Sequence, residues 1–107
     1  MLYRFKSKAG ADVIMMSESA DAVLRLMGRE PTPQGILETS ALPGLMRALE
    51  AGVADDDAQF QRAVVDAKAA GQVAPRRQGV SLRQRAWSLH ELMQLSAKEI
   101  ADVVWGV

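Results

Sequence analysis

The sequence predicts an α+β domain in which a small, mostly antiparallel sheet, built from an N-terminal hairpin and a C-terminal strand, carries three to four helices mainly on one face. Three observations point there. The chain starts and ends in strand-like runs, Leu2 to Met16 and Ala101 to Val107, while the middle carries apolar stripes of helical period. Its 107 residues, 49% hydrophobic and 24% charged, are enough for one core and too few for two, so residues 1–107 are read as a single domain. It has no cysteine, so the fold must hold without disulfides or thiolate-bound metal.

Leu2 to Lys6 alternates, with Tyr3 and Phe5 on one face and Leu2, Arg4 and Lys6 on the other, the period of a half-buried strand. Ser7-Lys8-Ala9-Gly10 reads as the turn, and Ala11 to Met16 as the returning strand of a hairpin. Ser17 or Ser19 offers a cap for a first helix whose apolar positions are Ala20, Val23, Leu24 and Met27, with Gly28 as its stop. Pro31-Thr32-Pro33-Gln34-Gly35 is an extended loop leading to a short strand at Ile36-Leu37-Glu38. Leu42, Leu45, Met46, Leu49 and Val53 form the stripe of a second helix over 41–53.

Asp55-Asp56-Asp57 is expected to interrupt that helix or to cap a weaker one carrying Phe60, Ala63, Val64 and Ala67. The span 55–79 accordingly reads as a variable loop or peripheral helix, ended by the polar, turn-rich stretch Gly71 to Gly79. Ser81 and Gln84 have the spacing of a reciprocal capping box at the start of the last helix. Leu82, Ala86, Leu89, Met93 and Ile100 share its apolar sector, His90 lies at the sector's edge, and Trp87 and Leu95 fall outside it. The terminal strand and the run ADVIMM do not alternate cleanly, the pattern of strands covered on both faces. The second face would then need another subunit or a last helix that wraps around. The methionines read mostly as adaptable core packing.

The composition excludes more chemistry than it suggests. With one histidine and no cysteine, any metal would rest on carboxylates, and the Asp55 to Asp57 run lacks the spacing of a calcium loop; neither metal nor cofactor is expected. No catalytic residue is assigned: His90 has no sequence-visible acid or nucleophile partner, so an enzyme is not expected. A concave pocket at His90 with a carboxylate within hydrogen-bond reach would reopen that question. The N-terminus lacks the apolar core of a secretory signal, and no run approaches the roughly 18 apolar residues of a membrane span, so a cytoplasmic protein without membrane contact is the expectation.

Thirteen basic groups balance thirteen acidic ones, but they are segregated. No acid lies between Asp66 and Glu91, a stretch holding Lys68, Arg76, Arg77, Arg83 and Arg85, whereas Glu50 and Asp55 to Asp57 gather upstream. Arg83 and Arg85 follow the Ser81 cap, where a cation opposes the helix dipole by about 0.3 to 1 kcal/mol, so local helix stability does not account for them. They could pair with the upstream aspartates or with another subunit. Alternatively, Arg76, Arg77, Arg83, Arg85 and the Ser81 helix start form a site for an anion: a phosphate, a nucleotide or an acidic protein segment. Nucleic acid is disfavoured, because aromatics are 5% of the chain and no recognition motif is present. The leading expectation is a non-enzymatic, homo-oligomeric interaction module; the alternative is the small anion-binding protein.

The opening MLYRFKSKAGADVIMM, the PTPQGI loop, the VSLRQRAWSL helix start and the closing VVWGV occur in that order along the whole chain. Together they resemble a family of short proteobacterial proteins catalogued as a domain of unknown function, number eighteen-forty in its series. The resemblance implies a bacterial, cytoplasmic, single-domain protein. It brings no activity, cofactor, partner or site residue with it.

Overall fold

The computed structural model describes residues 2–76 and 81–106. Strands β1 (Leu2–Ser7) and β2 (Gly10–Met16) form the predicted hairpin, with Leu2 opposite Met16, Arg4 opposite Ile14 and Phe5 opposite Val13. Helix α1 (Ser17–Leu26), strand β3 (Gly35–Leu37), a short 3-10 turn (Thr39–Ala41), helices α2 (Leu42–Ala69) and α3 (Leu82–Glu99), and strand β4 (Val103–Trp105) follow. The four strands lie in the order β2-β1-β4-β3, every neighbouring pair antiparallel. The closing strand is therefore central, and the two edges are β2 and β3.

The alternation of β1 decides which side the helices occupy. Phe5 points inward and is fully buried, in one cluster with Met15, Leu37, Val103 and Trp105 of the other three strands. Val23 and Leu24 of α1, Leu42, Leu49 and Val53 of α2, and Leu89 and Met93 of α3 join them in one continuous cluster. All three helices thus contribute to the core under one face of the sheet. Gly52 lets α1 and α2 approach, since a Cβ there would stand 2.8 Å from Leu26 Cδ2.

Several expectations need correction. The Asp55 to Asp57 run neither breaks α2 nor starts a new helix, because α2 is continuous for 28 residues. An aspartate on an exposed helix surface costs only a few tenths of a kcal/mol, roughly, and no glycine or proline follows Gly52 before Gly71. Gln59 also donates to Asp55 at 2.7 Å, one turn back. The span 55–79 is therefore helical as far as Ala69, and at about 1.5 Å per residue α2 sets the long dimension of a molecule 51 × 27 × 22 Å in extent.

At the start of α1, Met16 is the N-cap and no side chain caps the helix, so neither Ser17 nor Ser19 fills that role. The Ser19 hydroxyl is instead held by Arg85. The Ser81–Gln84 capping box forms as expected. Ile100 is not in the core: it closes α3 in the left-handed region, at φ 54°, with an exposed side chain. The amide of Ala101 reaches back to the Ser96 carbonyl at 2.8 Å, a closure that usually recruits glycine. Since a β-branched residue pays about 1–2 kcal/mol for that conformation, Ile100→Gly should raise the melting temperature by several degrees. A thermal melt followed by circular dichroism checks this, and a lower midpoint would contradict it.

The last helix does not wrap around the sheet. Ile14, Met16 and Leu2 stay exposed on the face away from the helices, so the non-alternating run ADVIMM is not covered on both sides within one chain.

Candidate functional site

Among the described residues nominated from the sequence, Arg83 and Arg85 diverge when the chain folds. Arg83 and Arg85 are two positions apart on α3, about 200° around the helix, and they point to different neighbours. Arg83 donates from Nε and from its terminal nitrogen to Asp57 Oδ2, both at 2.9 Å, joining the basic stretch to the acidic run on α2. Arg85 reaches across to Ser19 at the start of α1. The Ser81 hydroxyl accepts from the Gln84 amide within the capping box. Arg76 is exposed in the segment after α2, and Arg77 lies outside the described residues.

His90 has the partner that the sequence did not reveal. Its Nε2 lies 2.8 Å from Glu50 Oε1, forty residues away on α2. The pair lines a pocket of about 240 Å³ between α2 and α3, together with Leu49, Val53, Arg83, Ala86 and Trp87. The Trp87 ring lies nearly parallel to the imidazole, 5.8 Å between centroids and 12° between planes. This is the pocket with a carboxylate that would reopen an enzymatic reading, and its details bear on what it can do. The His90 side chain is 9% exposed, and Nδ1 is buried with no hydrogen-bond partner. With Nε2 engaged by Glu50, the remaining ring nitrogen is enclosed and out of a substrate's reach. A general base needs its lone pair within hydrogen-bond distance of the proton it removes. The pair ties α3 to α2 where the two helices cross.

Burial raises the Tyr3 phenol above its ordinary pKa, and its hydrogen bond to Asp21 and that carboxylate's charge add to the rise while Arg25 opposes it. Asp21 and Arg25 line one side of a cleft of about 660 Å³ together with Leu2, Tyr3, Pro31 and Trp105. Among the described residues, no three histidine, aspartate or glutamate side chains are grouped to hold a metal ion, and no helix is long and apolar enough to cross a membrane.

The sheet's outer face carries apolar side chains that the core leaves unused. Leu2, Ile14 and Met16 are 62%, 52% and 60% exposed, and the strand register sets them side by side, Leu2 opposite Met16 and Ile14 one outward position along. Ile36 and Val104, paired on β3 and β4, lie on the same face, with Lys6 opposite Val104. Arg4 and Asp12 form an ion pair of 3.4 Å between the strands. Three exposed large apolar side chains in contact positions are more than scattered surface residues require.

Over residues 1–105 the sequence matches the family described as Domain of unknown function (DUF1840). The chain belongs to that family. No curated protein and no solved structure matches it. Three of the four segments that carry the family resemblance share a location in the structure, while the fourth contributes the start of α3. The opening strand, the PTPQGI loop and residues 103–106 meet around Trp105, whose indole N–H donates to the Thr32 carbonyl at 2.8 Å. Gln34 donates from Nε2 to the Gly106 carbonyl at 3.0 Å, and Gly35 lies directly under the indole. These contacts tie the loop before β3 to the closing segment.

Proposed function

We propose that this member of the family is a non-enzymatic interaction module that associates with a second copy of itself through the outer face of its sheet. The observation that carries this reading is the apolar cluster of Leu2, Ile14 and Met16 on a face that no helix covers. The charges beside it suit a second copy. Arg4 and Lys6 accompany Asp12, so the face bears both signs and can complement itself across a twofold axis. A sheet-on-sheet contact would also bury Ile36 and Val104, extending the patch towards the β3 edge. The enclosed Nδ1 of His90 supports the non-enzymatic part of the reading.

Light scattering coupled to size-exclusion chromatography tests it. At micromolar to sub-millimolar concentrations the wild-type chain should show twice its chain mass. Ile14→Lys with Met16→Lys should give the single-chain mass at every concentration, with monomer stability changed by no more than about 0.5 kcal/mol because both positions are exposed. A wild-type chain that remains monomeric throughout that range overturns the reading.

A further inference from the structure

A different surface, at the sheet's edge, has the features of a strand-addition site. β2 ends the sheet and has β1 as its one strand partner. Edge strands are usually blunted by proline, by lysine, by shortness or by a bulge that twists them away. β3, at the opposite edge, is three residues long and follows Pro31 and Pro33. β2 is seven residues long, contains no proline or lysine, and carries Asp12 as its single charge. The register irregularity of the hairpin lies at its turn end, between Phe5 and Ser7, leaving the stretch from Val13 to Met16 regular. The Met16 carbonyl opens α1 as its N-cap, and among the described residues no loop, turn or side-chain hydrogen bond reaches the backbone from Val13 to Met15.

A groove of about 420 Å³ runs beside this edge. It is lined by Val13, Ile14, Met15 and Met16 on one side and by Ser19, Gln84, Arg85 and Ser88 on the other. Successive side chains of a strand point to opposite faces, so what four consecutive residues present in common is their backbone edge. The groove therefore lies along unpaired N–H and C=O groups, with α3 as its far wall. Arg85 is the one ionised side chain among its lining residues. Its hydrogen bond to Ser19 holds the guanidinium at the groove, and a guanidinium carries five N–H donors in a fixed fork.

We propose that this groove binds an extended, acidic segment of another protein, which adds to β2 as a further strand and sets an aspartate or glutamate side chain against Arg85. Backbone pairing supplies the affinity and the arginine selects the acid, the division of labour expected of strand addition. Charge favours such a partner over a second copy of this chain. Two identical walls would bring two Arg85 groups to the shared groove, and no lining residue of either is acidic.

The test uses the full chain, labelled with nitrogen-15, and two peptide pools. One consists of acetylated octapeptides with glutamate fixed at a central position and the other positions mixed; the matching pool has glutamine fixed there. The glutamate pool should shift the amide resonances of Val13 to Met16 and slow their hydrogen exchange. The glutamine pool should bind about tenfold more weakly, the loss expected when a hydrogen bond to a charged group is removed. Arg85→Gln should reduce binding of the glutamate pool by a similar factor and abolish the difference between the pools, whereas Arg85→Lys should preserve part of it. Methylation of alternate peptide nitrogens should eliminate binding. Three results overturn the proposal: no change at β2 with the glutamate pool at millimolar concentration; binding indifferent to Arg85→Gln and to methylation; or, in the Leu2→Lys variant with the outer face disrupted, β2 amides that become protected with rising protein concentration in the absence of peptide, which assigns the edge to a second copy. Leu2→Lys, which places a charge in the outer-face cluster from β1 and lies outside the groove's lining, should disrupt pairing through the outer face without removing the pool's discrimination, so the two proposals fail separately.

Discussion

Trp105→Ala is expected to lower stability by about 3–5 kcal/mol, and at roughly 4 °C per kcal/mol for a domain of about 100 residues the melting temperature should fall on the order of 15 °C. The indole is buried at the centre of the sheet, 5.7 Å from the Phe5 ring, which is itself 6.1 Å from Tyr3. Its removal opens a cavity where β1, β3 and β4 meet and deprives the Thr32 carbonyl of its donor. Trp105→Phe separates the two contributions. It keeps most of the apolar bulk and loses the N–H, so a smaller loss of about 1–2 kcal/mol is expected. Urea titration of the three proteins measures both differences. A Trp105→Ala variant within 1 kcal/mol of wild type, roughly, would show that the PTPQGI loop and β3 are not held by the indole.

The extent to which this fold is legible in the sequence follows from the range of each interaction. The hairpin and the Ser81–Gln84 capping box rest on residues close in sequence, so alternation and spacing identify them. The continuity of α2 was obscured by three consecutive aspartates, which resemble a cap when their surroundings are unseen. In the fold Asp57 is paired with Arg83, 26 residues ahead, and Asp55 accepts a hydrogen bond from Gln59 one turn away. The non-alternating ADVIMM run suggested two covered faces, yet within the chain only Val13 and Met15 turn inward. Pattern alone cannot separate a face buried by the fold from one left for a partner, because the hydrophobic requirement is the same.

The site residues show the same limit more sharply. Charge segregation identified Arg83 and Arg85 as unusual, and both make specific contacts, but with two different helices and not with a shared ligand position. Their divergence is a consequence of a two-residue spacing on a helix and could be derived from the sequence. Glu50 as the partner of His90 could not, since it depends on the crossing of α2 and α3. The groove beside β2 was equally invisible. It arises from strand order, which places the longest exposed strand at the edge, and no local pattern reports that order.

Gly35→Ala is expected to cost about 2–3 kcal/mol in the wild-type chain, and the same substitution should cost almost nothing when Trp105 is alanine. A Cβ on Gly35 would fall 2.1 Å from Trp105 Cζ2 and 2.3 Å from Cη2, and the indole cannot retreat because it is packed against Phe5 and tied to Thr32. Forcing a methyl group into such a site typically costs about 1–3 kcal/mol. In isolation the change would help slightly, because alanine loses less backbone entropy than glycine in a strand, by roughly 0.5–1 kcal/mol. The clash must therefore outweigh a favourable term, and removing the ring should reveal it. Denaturation of wild type, both single variants and the double variant gives the coupling directly, with an expected value of at least about 2 kcal/mol between the two positions. Additive effects would mean that Gly35 is required for its own backbone conformation and not for the approach of Trp105. Strong coupling would establish that the PTPQGI loop and the closing VVWGV are fitted to each other, a glycine in one making room for the tryptophan of the other.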